Sequence, residues 1–211
     1  MHPDAYAVLA GPGRAELKVK GSRFLALALA IADEAAARRE RQALAQAHPE
    51  ASHLCWALRL GHPARALARA DDAGEPGGSA GPPIARALVA AGVSDALCVV
   101  LRWFGGTKLG VGGLIRAYGE VAREALAAAP RAERLALLRL AGSFPYALEP
   151  ALRALLEAQG GRLIESRRDS AVHWLLALPP SALDPFNAKA ADLVRGPSPF
   201  APIEPAAAGE G

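Results

Sequence analysis

The first two-thirds of the chain carry short apolar runs typical of strands, separated by stretches with helical periodicity. Strands are predicted at 15–31 with a break at Gly21-Ser22, at 53–60 and at 95–104. Helices are predicted at 33–47 with Asp33 as N-cap, at 81–91 ending at Gly92, and at 112–129. Residues 61–83 are dense in glycine, proline, alanine and aspartate, which predicts a long connection.

The remaining third repeats the alternation of strand and helix after an interruption at Pro130. Its predicted elements are a strand at 134–144, a helix at 146–159, a hairpin at 162–168 and 172–178, a helix at 181–195 capped by Ser181, and a strand at 198–203. This β-α-β-β-α-β order is typical of the ferredoxin-like fold. The sequence therefore predicts an α+β protein with an N-terminal α/β domain at 1–130, a ferredoxin-like domain at 131–203 and a disordered tail at 204–211.

Composition is that of a folded protein with a substantial core. Of 211 residues, 52% are hydrophobic and 21% are charged, which excludes disorder over the whole chain. No apolar run reaches the roughly 18 residues of a membrane span, and the N-terminus lacks a signal-peptide pattern, so we expect a cytoplasmic protein without a membrane partner. Cys55 and Cys98 lie in apolar strand-like runs and are predicted to be buried thiols. The net charge of +3 fits an ordinary mixed-charge surface or a weak electrostatic footprint for nucleic acid.

One segment of the predicted connection concentrates carboxylates. Asp71, Asp72 and Glu75 lie within five residues of each other among glycines. In such a loop the three carboxylates can converge on one basic group or ligate Mg²⁺. Alternatively, they hold the loop through turn hydrogen bonds and pairing with arginines.

A second segment runs from a predicted buried strand through a glycine-rich turn into a helix. Backbone N–H groups at such a helix N-terminus can bind an anion, and nearby basic side chains would add charge. The candidate binding residues are Arg102, Gly105, Gly106, Lys108, Gly110, Gly113 and Arg116. The alternative is that these glycines allow close packing of helix on strand. A P-loop is absent, because Leu109 follows Lys108 where serine or threonine is required.

Catalytic constellations are not recognisable in the sequence. His53 begins a strand and could bind a ligand, but no serine or cysteine lies in a nucleophile elbow, and the interpretation as a hydrogen-bonded structural histidine stays open. The histidines show no metal-ligand spacing. We therefore predict no cofactor and favour a protein that is not an enzyme.

Both candidate segments belong to a longer series of short motifs in the first domain. The motifs are Lys20-Gly21-Ser22-Arg23-Phe24, Ala51-Ser52-His53, Cys55-Trp56-Ala57, Asp71-Asp72 with Gly74-Glu75-Pro76, Ser79-Ala80-Gly81, Val99 to Gly110, Gly112-Gly113-Leu114 and Arg116-Ala117-Tyr118-Gly119. In this order they resemble the YigZ/IMPACT family. The resemblance implies an N-terminal domain similar to the second domain of a small-subunit ribosomal protein. It also implies a ferredoxin-like domain similar to one of elongation factor G. The sequence departs from the family pattern at Ala73, which splits the usual Asp-Asp-Gly-Glu-Pro, and at Pro82, where a basic residue is common.

Three functions follow as hypotheses. Because eukaryotic relatives regulate translation under amino-acid stress, the resemblance favours a non-enzymatic protein that binds RNA or a ribosomal component, with phosphate contacts from Arg102, Lys108 and Arg116. A second hypothesis is a metal-dependent enzyme acting on a nucleotide or phosphorylated ligand, with a metal held by the acidic loop. A third is a protein-interaction module in a stress response, with Trp103 and Phe104 bordering the partner surface.

Overall fold

The computed structural model describes residues 3–203, so the tail predicted to be disordered lies outside the described residues. The chain divides into two compact units. One is formed by Tyr6–Arg134, and the other by the residues from Leu135 onward together with the N-terminal residues up to Ala5. No helix among residues 3–203 combines the length and apolar character needed to cross a bilayer.

The first unit is built on a five-stranded antiparallel sheet. The strands of this part of the chain are β1 (Ala5–Leu9), β2 (Gly13–Val19), β3 (Ser22–Ala30), β4 (His53–Leu60), β5 (Leu67–Asp71), β6 (Val93–Ser94), β7 (Ala96–Trp103) and β8 (Arg131–Leu135). The helices are α1 (Glu34–Ala47), α2 (Gly81–Ala91) and α3 (Val111–Ala128). The large sheet has the order β2-β3-β7-β4-β5, and β6-β1-β8 form a smaller sheet.

Alternation along the central strands places a separate apolar cluster on each face of the large sheet. Phe24 on β3 and Cys98 and Val100 on β7 belong to the cluster that includes α2 and α3. Their neighbours Leu97 and Val99 belong to the cluster that includes α1. Successive side chains of a strand point to opposite faces, so these strands are covered on both sides and are almost continuously apolar.

The predicted helix boundaries are largely confirmed, since Asp33 caps α1 by accepting a 2.6 Å hydrogen bond from the Ala36 N–H, and α2 ends at Gly92 with a φ of 68°. Three strands were not predicted, namely β1, β5 and the two-residue β6. Strand β5 lies within the expected long connection and pairs with β4 at the edge of the sheet, with largely exposed side chains. Strand β1 pairs in parallel with the two-residue strand β6.

The smaller sheet is held by a buried carboxylate. Asp95 accepts hydrogen bonds from the Tyr6 hydroxyl at 2.6 Å and from Arg134 at 2.5 Å, and its other oxygen accepts one from the Gly61 N–H at 2.7 Å. Burial and the bond to Asp95 raise the pKa of Tyr6 to about 12. The Asp95 carboxylate thereby connects Tyr6, Gly61 and Arg134, which are far apart in the sequence.

The second unit has the predicted ferredoxin-like topology. Its elements are β9 (Leu138–Phe144), α4 (Glu149–Ala158), β10 (Arg162–Arg168), β11 (Val172–Leu178), α5 (Leu183–Val194) and β12 (Phe200–Pro202). The strand order is β10-β11-β9-β12, all pairs antiparallel. Its core includes Phe144, Trp174, Phe186 and Phe200.

Two predictions for this part of the chain were wrong. The strand expected at 134–144 is split into β8 and β9. Ser181 does not cap α5, because its hydroxyl donates to the Asp4 carboxylate and α5 follows a 3₁₀ turn at Pro180–Ala182. A serine caps a helix only when its oxygen accepts a bond from that helix's first turn.

Candidate functional site

A cavity of about 330 Å³ opens at the start of α3, between the end of β7 and the acidic loop. We call it the α3 pocket. Its lining residues are Glu75, Pro76, Arg102, Phe104, Lys108, Leu109, Gly110, Val111 and Leu114. The structure thus brings part of the glycine-rich segment and one residue of the acidic loop to the same place.

The pocket is floored by a buried ion pair. Arg102 and Glu75 are 5% and 8% exposed, and the Arg102 Nη1 donates to Glu75 Oε1 at 2.6 Å. The Tyr118 hydroxyl donates to the same oxygen at 2.7 Å, and the His53 Nε2 lies 4.0 Å from it. Arg102 also donates to the Ser22 hydroxyl at 3.4 Å. The Arg102 guanidinium is thus buried and its charge is neutralised by Glu75 inside the fold, although the residue still lines the pocket.

The three carboxylates of the acidic loop do not converge on one point. Asp72 lies at the start of α2, where its two oxygens accept bonds from the N–H groups of Gly78, Ala80 and Gly81 at 2.7–2.8 Å. Burial alone would raise the pKa of Asp72, but these three donors outweigh it and hold the pKa below its usual value. Asp71 accepts from the Ala73 N–H at 2.7 Å.

Within residues 3–203 no group of three histidine, cysteine or acidic side chains is placed to hold a metal ion. The alternative interpretation of the loop, turn hydrogen bonds and pairing with an arginine, matches the contacts.

Ala73 and His53 shape the rim of this loop. Ala73 has a φ of 44°, a left-handed conformation that costs energy for a residue with a Cβ. The Ala73 carbonyl accepts a bond from the His53 Nδ1 at 2.9 Å. His53 therefore supports the loop through the residue at which the sequence departs from the family pattern.

The glycines of the second segment have two different uses. A Cβ on Gly105 would lie 1.8 Å from the Gly21 carbonyl carbon, so this glycine allows two backbones to touch. Gly110 precedes α3 with φ 72° and ψ 161°, a conformation nearly restricted to glycine. Gly106 also has a positive φ, and Gly113 faces Leu109. Gly105 is thus needed for close packing of two backbone segments, whereas Gly110 sets the direction in which α3 begins.

The N-terminus of α3 is electropositive and uncapped. No side chain of residues 3–203 caps it, and no acidic residue lies in its first turn. The first bond of the helix runs from the Leu114 N–H to the Gly110 carbonyl. The N–H groups of residues 111–113, which come before Leu114 in the first turn, therefore have no partner within the helix. Lys108 is exposed beside them on the pocket. A Cβ on Gly112 would lie 3.9 Å from the Arg116 Nη1, so Arg116 lies over the same turn.

A second depression lies between α2 and α3, with a volume of about 290 Å³. We call it the arginine groove, after Arg86, Arg116 and Arg123, which line it with Pro83, Ala87, Ala90, Ile115 and Gly119. No acidic residue lines the groove, and none of the ion pairs found within residues 3–203 involves its arginines. Sequence analysis identified Arg116 but missed the other two. The seven-residue spacing of Arg116 and Arg123, which places both on one helix face, was the available signal.

Both cysteines are buried, as predicted. Burial raises the pKa of Cys55 and of Cys98 to about 12, with the Tyr118 hydroxyl opposing the rise at Cys55. Burial also raises the pKa of Tyr118, followed by its contacts with Cys55 and Glu75. A nucleophilic thiolate at neutral pH is therefore not available beside the pocket.

These features define a two-unit α+β protein, with a pocketed first unit and a ferredoxin-like second unit. A family model for the Impact N-terminal domain matches residues 20–126, and a model for a domain of unknown function, DUF1949, matches residues 143–196. The chain belongs to the IMPACT family. The predicted family and the predicted two-domain α+β fold class are confirmed.

Two relatives match over nearly their whole length. An IMPACT family member from Thermus thermophilus is 40% identical over 84% of this chain and 96% of its own. IMPACT family member YigZ from Escherichia coli is 32% identical over 92% of this chain and 95% of its own.

One solved structure has a similar fold over nearly the whole chain. The crystal structure of a hypothetical protein covers 95% of this chain and 98% of its own, at 30% identity and a TM-score of 0.70. A structure of the two-domain translational regulator Yih1 is 25% identical over 61% of this chain and 48% of its own. Its TM-score of 0.34 is too low to support an inference about function.

Proposed function

We propose that this protein is a non-enzymatic RNA-binding protein that acts in translation, with an RNA strand lying along the arginine groove toward the start of α3. The observation that carries the proposal is the groove itself, where three arginines that form no ion pair with any described residue surround a shallow floor of mostly small residues. Phosphates bind arginines through charge-assisted hydrogen bonds. Of the three arginines, Arg123 donates from its Nε to the Gly119 carbonyl at 3.1 Å.

The start of α3 extends this surface. Arg116 lies over the first turn of the helix, and Lys108 is exposed on the α3 pocket at the same end. Helix N-termini bind phosphate because their free N–H groups and the helix dipole both favour a negative charge. RNA binding here would therefore use Lys108, Arg116 and the backbone of the turn, with Arg86 and Arg123 replacing the buried Arg102.

The first experiment is co-sedimentation of the protein with ribosomes at low and moderate salt. The test variant changes Arg86, Arg116 and Arg123 to alanine. A matched variant changes Arg38, Arg39 and Arg69, which are exposed on α1 and β5 and remove the same charge.

We expect salt-sensitive co-sedimentation that is lost in the groove variant and kept in the matched one. For a single-stranded RNA measured by fluorescence anisotropy, removing three phosphate contacts should reduce the slope of log K against log salt by about 2. If both variants lose co-sedimentation equally, the effect depends on net charge alone and the groove is not the RNA-binding site. Association that survives nuclease treatment would instead favour a protein partner.

A further inference from the structure

The α3 pocket has two chemically different ends. One end is cationic, with Lys108 beside the uncapped first turn of α3. The other end carries Glu75, whose side chain is 3% exposed. A ligand that satisfies both ends must have an anionic group and, separately, a hydrogen-bond donor.

Glu75 has one oxygen free for such a donor. Its Oε1 accepts the bonds from Arg102 and Tyr118, whereas no bond from the described residues reaches Oε2. A carboxylate oxygen repels anions and accepts a hydrogen bond from an N–H or O–H donor. The phosphate of a ligand is therefore directed away from Glu75 and toward α3.

Between these ends the pocket is apolar and open to a flat group. Phe104 is 50% exposed and Val111 is 52% exposed, although both are large and apolar. The Arg102 guanidinium carbon lies 5.6 Å from the centroid of the Phe104 ring, which helps to hold that ring in place. Exposed aromatic faces of this kind stack nucleobases, and stacking does not depend on which base is present.

We propose that the α3 pocket binds one nucleoside monophosphate, with its phosphate at Lys108 and the first turn of α3. Its base would stack on Phe104 and donate an N–H to Glu75. The volume of about 330 Å³ suits a ligand of this size, since small-molecule pockets begin near 300 Å³. The nucleotide can be free in solution or be the end of an RNA strand, and only the second source rests on the proposed RNA binding.

The test is calorimetric titration of the full chain with AMP, ribose 5-phosphate and adenosine. AMP should bind more tightly than either fragment, because each fragment lacks one half of the recognition. Phe104→Ala should weaken AMP binding by at least about five-fold, the lower limit for loss of one stacked base. Val89→Ala removes a side chain of similar exposure on α2 that does not line the pocket, and should leave AMP binding unchanged.

Lys108→Ala distinguishes binding of the phosphate from binding of the base. It should weaken AMP and ribose 5-phosphate while leaving the weaker binding of adenosine unchanged. Equal binding of AMP and ribose 5-phosphate, or AMP binding that Phe104→Ala does not alter, would overturn the stacking. No heat from AMP at millimolar concentration would overturn the site itself.

A 5′-phosphorylated RNA pentanucleotide distinguishes the two sources. If the strand end is bound, AMP will compete with the oligonucleotide, and Phe104→Ala will weaken both. If only free AMP binds the pocket, the oligonucleotide will not be displaced. A double groove variant, Arg86→Ala with Arg123→Ala, leaves Arg116 in place at the first turn of α3. It should weaken ribosome association yet keep AMP binding, so failure of the pocket and failure of the groove give different results.

Discussion

Gly112→Asp should make the protein more stable and at the same time block its phosphate-binding end. Gly112 is the second residue of α3, and a Cβ there would meet only the Arg116 Nη1 within 4 Å, at 3.9 Å. The new carboxylate would lie beside the unsatisfied N–H groups of the first turn and four residues before Arg116. It would therefore occupy the place that we assign to a phosphate.

The expected gain in stability has three parts. Replacing glycine by aspartate inside a helix contributes a few tenths of a kcal/mol. A carboxylate at the positive end of the helix dipole contributes about 0.3–1 kcal/mol, and a pair with Arg116 at i,i+4 about 0.2–0.5 kcal/mol. The total is about 1–1.5 kcal/mol, which corresponds to a rise in Tm of about 2–6 °C.

Gly112→Asn is the matched control, because asparagine has nearly the same shape and helix propensity but no charge. Scanning calorimetry should give a higher Tm for Gly112→Asp than for Gly112→Asn, and added salt should reduce the difference. Binding of AMP and of single-stranded RNA should be weakened only in Gly112→Asp. Equal Tm values for the two variants would show that the α3 terminus is not electropositive. A stabilised Gly112→Asp variant with unchanged binding would refute the phosphate site.

Three further results are expected in other parts of the first unit. Native Cys55 and Cys98 should both resist a thiol reagent at pH 8 and react only on unfolding, since burial holds each pKa at about 12; rapid labelling of the folded protein would contradict this. Asp72→Asn should cost about 0.5–2 kcal/mol of unfolding free energy at pH 7. Because the pKa of Asp72 is lower in the folded state, its contribution is present above the unfolded pKa and is lost as pH falls through the folded pKa, so denaturant titrations of the two proteins should converge in acid. Ala73→Gly should raise the unfolding free energy by about 0.5–1 kcal/mol by relieving the positive φ, and a loss of stability would show that Ala73 is not strained.

Much of the fold follows from periodicity because the main elements are long and strongly patterned. The helices α1 to α3 and the ferredoxin-like order are of this kind. Strand β5 escaped prediction because it lies at a sheet edge, where one partner and solvent-exposed side chains impose little apolar alternation. Strand β1 depends on a parallel partner more than 80 residues away, and no local pattern encodes such a pairing.

The sequence patterns indicated which two segments to consider, but they did not indicate what each side chain contacts. Residues of both segments line one pocket, but Arg102 is buried there in an ion pair with Glu75. The alternation that places Cys98 and Val100 on the face toward α3 places Arg102 on that face too, so its burial could have been inferred from the strand. Its pairing with Glu75 could not, because a contact between residues 27 positions apart depends on how the acidic loop folds back.

The small sheet around Asp95 constrains the order in which the chain can fold during synthesis. Tyr6 precedes Asp95 by 89 residues, and Arg134 follows it by 39. The N-terminal strand must therefore remain unpaired until β6 has left the ribosome, and the network is complete only after Arg134 emerges. Loop closure over such separations is slow compared with helix formation. A nascent chain that ends before Arg134 would leave the first strand accessible, and that part of the chain would be the last protected from proteolysis.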